Sequence, residues 1–169
     1  MGIIKTFFLI VILGLAVYMG NLKANQYVNR VKELICIKSA LNIFENKIKF
    51  TQSPLKEIFK NIGENASEYN IKNIFEALAI EEDLNIHEKW KNVISDIESN
   101  LNSEDKNILI DMGKILGTTD VDGQVSNIKI TTSFIDRQIE KAEQEKEKNA
   151  KMFRTLGIVS GLSIIVILI

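Results

Sequence analysis

Both ends of this chain are almost free of charge, and that distribution constrains its architecture more than its length of 169 residues does. All 22 acidic residues and 20 of the 21 basic ones lie between Asn21 and Arg154. Between Lys5 and Lys23 run 17 uncharged residues, TFFLIVILGLAVYMGNL. As a helix at ~1.5 Å per residue this segment extends roughly 26 Å, a slightly short but adequate span of a hydrocarbon core about 30 Å thick. A cleaved signal peptide shares the basic start and apolar middle, but Leu22-Lys23-Ala24 is a poor match to the small-x-small cleavage pattern. At the other end TLGIVSGLSIIVILI runs uncharged from Thr155 to Ile169, and counting from Phe153 gives 17 residues. The alternative there is a buried core segment; in the membrane reading Lys151 and Arg154 snorkel to the interface.

The basic residues near the spans fix an expected orientation. Lys23, Arg30, Lys32, Lys141, Lys146, Lys148, Lys151 and Arg154 flank the domain side, against Lys5 and the amino terminus on the other. The positive-inside rule then puts the polar region in the cytoplasm. Gly157 and Gly161 stand at the GxxxG spacing and, with Ser160, form a small-residue patch that lets membrane helices approach closely. Such association, in a homo-oligomer among other arrangements, competes with the plain reading that glycine is common in membrane helices.

The polar region reads as helical throughout. Pro54 is the one proline, and proline breaks helices. Tyr27, Val31, Leu34, Ile35, Leu41, Phe44 and Ile48 recur three or four apart, so a first helix is expected to leave the membrane unbroken and reach about Lys49. Ser53 as N-cap with Pro54 at the first helical position opens a short second helix that Gly63 can close. Ile71, Ile74, Phe75 and Leu78 mark a third, and Ile86, Trp90, Val93, Ile94 and Ile97 a fourth. Ser103, followed by Glu104 and Asp105, caps a fifth through Leu109, Met112 and Leu116, ended by Gly117. Thr119 or Asp120 caps a sixth, with Val125, Ile128, Phe134, Ile135, Ile139 and Ala142 as its stripe. EQEKEKNAK from Glu143 to Lys151 has no core face and reads as a solvated stalk, with Glu147 and Lys151 spaced to pair. The expected organisation is a transmembrane helix over 3–22, a six-helix bundle over 23–142, a polar helical stalk over 143–152 and a second transmembrane helix over 153–169, an all-α fold.

Chemical groupings are sparse. The net charge of −1 argues against duplex nucleic acid, whose phosphates call for a basic face. Cys36 is the single cysteine, which excludes an intramolecular disulfide and a thiolate cluster within one chain; beside Ile35 and Ile37 it reads as a small buried hydrophobe. His87, the single histidine, falls in the polar first turn of the fourth helix with no orienting partner in view, and reads as exposed or near a cap. TTDVDGQVSNIK superficially has the form of a calcium loop, but Thr118 and Lys129 stand at its first and twelfth positions, where calcium needs carboxylates. Glu57, Glu64, Glu68 and most other acids read as solvated surface. No catalytic motif, cofactor or metal site is expected, and a non-enzymatic role follows.

Three stretches carry a family resemblance: Thr51-Gln52-Ser53-Pro54-Leu55, then ILIDMGKILGTTDVDGQ from Ile108 to Gln124, and KNAKMFRTLGIVSGLSIIVILI from Lys148 onward. In these the chain resembles the stage III sporulation protein AB family of endospore-forming Firmicutes. The family's Leu-Gly, polar turn with Asp, and Gln are met by Leu116, Gly117, Asp120 and Gln124. Its terminal pattern is met by Lys151, Met152, Phe153, Arg154, Leu156, Gly157 and Gly161. The resemblance implies a component of the channel assembled between mother cell and forespore during engulfment, similar to the inner-membrane platform of type II secretion and type IV pilus machines, whose cytoplasmic domains are six-helix bundles. It implies as partners the other stage III sporulation proteins, including the secretion-type ATPase AA, besides the lipid bilayer itself. The expected contact surface is the turn from Gly117 through Asp120 to Gln124 together with Glu143, Glu147 and Lys151 of the stalk. A plain capping role for Gly117 and Asp120 is the alternative. A membrane-bound adaptor or sensor unrelated to secretion is the competing function.

Overall fold

The computed structural model of the protein describes residues 2–51, 53–80 and 85–168. Gln52, part of one resemblance stretch, lies outside the described residues. Among those described there is no strand. Helix α1 spans Gly2–Asn46 and continues through a π-helical turn, Lys47–Thr51. Four helices of equal length follow: α2 Leu55–Asn65, α3 Tyr69–Ala79, α4 Ile86–Asp96 and α5 Ser103–Gly113. Helix α6, Val121–Glu145, passes through a second π-helical turn, Lys146–Ala150, into α7, Lys151–Leu168. The all-α class and the six continuous helices read from periodicity are those observed. The residues group into two compact units, one of Lys32–Glu140 and one of the described residues up to Val31 with those from Lys141 onward.

The bundle unit is organised around aromatic rings. Phe59 lies 5.6 Å from Phe44, 6.3 Å from Phe75 and 5.8 Å from Trp90, centroid to centroid. Ile58, Ile62, Ile71, Ile74, Ile94, Met112, Leu116 and Ile128 fill in around them, all essentially inaccessible. Trp90 is anchored at its polar end, where Nε1 donates to the Leu109 carbonyl at 2.7 Å, as a buried indole requires. Its ring lies against Gly113, where a Cβ would come within 2.2 Å of an indole carbon. Gly63 plays a similar part between α2 and α3: a Cβ there would sit 3.2 Å from the Glu76 side chain. It therefore lies inside α2 and does not close it, and the helix runs on to Asn65.

Helix boundaries depart from expectation where a neighbouring residue offers better capping chemistry. The cap of α5 is Asn102, not Ser103: its side chain accepts from the Asp105 amide at 2.8 Å while the Asp105 carboxylate accepts from the Asn102 amide at 3.0 Å, a reciprocal box that satisfies two orphan donors. Pro54 occupies the N-cap of α2, and Ser53 donates instead to the Thr51 hydroxyl. Helix α5 ends at Gly113 and not near Leu116, where the chain tightens and the Lys114 and Ile115 amides donate to the Asp111 and Met112 carbonyls; the Gly113 carbonyl is taken by the His87 ring at 2.7 Å, and since a carbonyl only accepts, Nδ1 carries the proton. Of the two candidate caps for α6, Asp120 serves, accepting from the Gly123 amide at 2.9 Å.

Two stripe assignments are corrected. Ile35 is 50% exposed because burial on α1 follows Glu33, Leu34, Cys36, Ile37, Ala40 and Leu41, which turns Ile35 to the opposite side. Phe134 is exposed because Thr131 and Gln138 hold the core positions on α6; its ring carries the Arg137 guanidinium at 5.7 Å instead. Cys36 is buried, as its apolar neighbours suggested.

The acids are not all surface residues. Glu57 and Glu64 are exposed, but Glu33 is 2% exposed. It accepts from Asn70 Nδ2 at 2.8 Å, from the Asn100 amide at 2.8 Å and from Asn100 Nδ2 at 2.7 Å. One carboxylate thus ties α1 to the start of α3 and to the segment between α4 and α5, with charge-assisted bonds that compensate its burial. Two more exposed pairs, Lys38 with Asp136 at 2.7 Å and Lys129 with Glu45 at 3.6 Å, join α1 to α6 in antiparallel order; pairs of this kind contribute about 0–1 kcal/mol.

Two variants test this packing. Gly113→Ala is expected to destabilise the bundle by about 1–3 kcal/mol through overpacking, with a lower thermal midpoint and altered emission from Trp90, the single tryptophan. Glu33→Ala leaves Asn70 and Asn100 donors without their acceptor and is expected to cost about 1.5–3 kcal/mol, the range for one bond to a charged group, or more. Glu64→Ala on exposed α2 surface serves as the control, and an equal effect from both glutamates would contradict the assignment.

Candidate functional site

The turn joining α5 to α6 is built almost wholly by its own polar groups. Gly117 takes φ +72°, the left-handed region that other residues enter at a cost. Gln124 then closes the turn with both ends of its amide: Oε1 accepts from the Gly117 amide at 3.4 Å and Nε2 donates to the Thr119 carbonyl at 3.0 Å. The Thr118 hydroxyl donates to Ile115, and Asp120 is occupied as the cap of α6. These bonds explain why Gly, Asp and Gln stand at these spacings. They also occupy Asp120 locally, as the cap of α6.

What the turn presents outward is a surface. Gly117, Val121 and Gln124 line one side of an open cleft of about 270 Å³, and Ile48, Ser53, Pro54 and Leu55 line the other. Two of the stretches that carried the family resemblance, about 60 residues apart in sequence, therefore meet at one place. Sequence reading singled out the turn but missed Ser53 to Leu55 as its counterpart, because nothing in local periodicity reports a contact between a helix start and a distant turn.

Glu143, Glu147 and Lys151 belong to the other compact unit and are exposed. Among the described residues Glu147 and Lys151 form no ion pair: the π-helical turn Lys146–Ala150 inserts an extra residue per turn and moves them out of the i, i+4 alignment. Within the same unit Arg30, 5% exposed, reaches Glu145 at 2.7 Å, and Tyr27 stacks on Phe153 at 5.9 Å.

The small-residue patch of α7 meets α1 of the same chain. A Cβ on Gly157 would lie 2.8 Å from the Ala16 carbonyl and 3.1 Å from the Gly20 Cα; one on Gly161 would lie 2.7 Å from Leu13. A Cβ on Gly20 would in turn meet the Phe153 carbonyl at 2.7 Å. Ser160 stands on the exposed side, its hydroxyl donating to Gly157 at 3.2 Å. The counterpart residues were legible but unread: Ala16 and Gly20 repeat the four-residue spacing of small residues. Two continuous helices, Ile4–Thr51 and Val121–Leu168, are long and apolar enough to cross a membrane, and only 6% and 11% of their most apolar stretches are buried. The alternative of a buried core helix at the carboxyl end does not fit such exposure.

The described residues gather no group of three His, Cys, Asp or Glu side chains able to hold a metal ion. The fold and surfaces define two parts, a helical bundle and a pair of apolar, membrane-length helices that pack together at glycines. The sequence profile described as Stage III sporulation protein AB matches residues 5–169, and the chain belongs to that family. It is 24% identical over 150 residues to the Stage III sporulation protein AB of Bacillus subtilis (strain 168), a match covering 86% of this chain and 87% of the relative. No solved structure matches it. Membership in a stage III sporulation family supports a role in sporulation, alongside other sporulation proteins.

Glycine packing predicts a selective effect. Gly157→Leu and Gly20→Leu are expected to lower the temperature at which the detergent-solubilised full chain remains monodisperse. Gly14→Leu, where a Cβ would meet nothing within 4 Å, is expected to leave it unchanged.

Proposed function

We propose that the protein is a non-enzymatic platform of a secretion-like channel complex between mother cell and forespore. In this reading the two apolar helices anchor it in the mother-cell membrane around the forespore, and a helical domain over 23–142, followed by a stalk over 143–152, stands in the cytoplasm. The single observation that carries the proposal is the convergence of two family stretches, Ser53-Pro54-Leu55 and Gly117 to Gln124, on one open cleft of the bundle. Their polar groups are consumed in shaping that cleft, so what the sequence holds in place is a contour suited to protein contact and not a reactive group. The excess of basic residues on the domain side supports the orientation. The implied occupant of the cleft is the secretion-type ATPase AA, with other stage III sporulation proteins in the assembly.

Leu55→Lys places a charge at the mouth of the cleft without touching the aromatic core. It is expected to reduce co-purification of the ATPase from sporulating cells at least about tenfold, equivalent to ~1.4 kcal/mol of binding, while Trp90 emission stays as in the parent. Lys91→Glu, on the exposed face of α4, is the control. Undiminished recruitment would remove the cleft from the proposal, and cleavage of the domain by protease added outside intact cells would overturn the orientation.

A further inference from the structure

An apolar groove of about 710 Å³ runs along the α1–α7 pair, beside the glycine contact. Met19 and Leu22 of α1 and Leu156 and Ile164 of α7 give it hydrocarbon walls, and Ser160 lies partway along. One end is polar, formed by Lys23 and Gln26. The groove's walls are thus hydrocarbon along most of its length and polar only at the end where the helices leave the apolar stretch.

The charge at its polar end is unbalanced. Among the described residues the Lys23 ammonium makes one hydrogen bond, to the neutral Gln26 Oε1 at 2.8 Å, and no ion pair. The same unit carries seven cations between Asn21 and Val31 and between Lys141 and Arg154 (Lys23, Arg30, Lys141, Lys146, Lys148, Lys151, Arg154) against three glutamates, a net of +4. Glu145, one of those glutamates, is already paired with Arg30. A slot with hydrocarbon walls, a cation at one mouth and a basic surround complements an amphiphile with an anionic head.

We infer that this groove is a binding site for one anionic phospholipid, its acyl chain lying between α1 and α7 and its phosphate at Lys23. The inference rests on the reading of both helices as membrane spans, and adds that the chain selects a lipid by charge. The site is distinct from the bundle cleft, so it can act on the anchoring pair whatever the bundle binds.

The test uses the full chain reconstituted in nanodiscs of equal phosphatidylglycerol and phosphatidylcholine, released into native mass spectrometry. Retained phosphatidylglycerol is expected to exceed phosphatidylcholine roughly fivefold. Lys23→Gln should bring the ratio toward unity, and Ser160→Phe, which fills the groove, should lower retention of both lipids. Lys148→Gln, a cation outside the groove lining, should keep most of the preference. Equal retention of the two lipids by the parent chain, or a preference that survives both Lys23→Gln and Ser160→Phe, would overturn the site while leaving the membrane reading intact. A lipid-free dimer would assign the groove to a second copy. A chain that stays outside the discs would overturn the site together with the membrane reading on which it rests.

Discussion

The pairing of α1 with α7 is the constraint on which the organisation of the chain rests. Gly20 and Gly157 let the two backbones approach to a distance that a single Cβ on either would prevent, and the buried Arg30 guanidinium fastens α1 to the end of α6, just ahead of α7, at Glu145. Residues more than 100 positions apart are thereby held as neighbours, and everything from Lys32 to Glu140 becomes an insertion between two fixed points. A segment with tethered ends has less conformational freedom to lose on folding than a free one, although the gain grows only slowly with its length. This is a reason for the four 11-residue helices of the bundle, shorter than isolated helices that are stable in water, to depend on the parts of α1 and α6 that pack against them.

Inside the bundle the same dependence on distant partners appears at single residues. Trp90 needs Gly113 and the Leu109 carbonyl, and Glu33 needs Asn70 and Asn100. Each contact ties one helix to a segment remote in sequence. Buried polar groups of this kind add little net stability when fully satisfied but penalise any packing that leaves them without partners. They therefore select one arrangement of short helices from the many that an Ile-rich surface would permit.

Helix existence was legible because the period of apolar residues is set by local geometry, and all six helices fell where that period placed them. What stayed illegible was set by tertiary contact. Ile35 and Phe134 obey the spacing rule and still face outward, since Glu33, Thr131 and Gln138 turn the buried arc toward partners that the spacing rule does not identify. Gly63 has the sequence character of a helix terminator but serves close approach to α3. In the turn at Gly117 the residue types pointed correctly to caps, because capping is a local reaction between neighbours. The cleft they share with Ser53 to Leu55 required the fold.

The glycines of α7 separate two properties that small residues in an apolar helix can supply. Gly157 and Gly161 face α1 and are consumed in joining the chain to itself, so the GxxxG spacing does not leave that face open for a second chain. Ser160, one position before Gly161, lies instead on the open side, where the narrowing of α7 leaves a groove and not a contact. Met19 and Leu156, next in sequence to the contact glycines Gly20 and Gly157, wall the groove, and the glycines themselves have no side chain to fill it. The packing that holds the anchors together and the hollow beside it are thus one consequence of a few missing side-chain atoms.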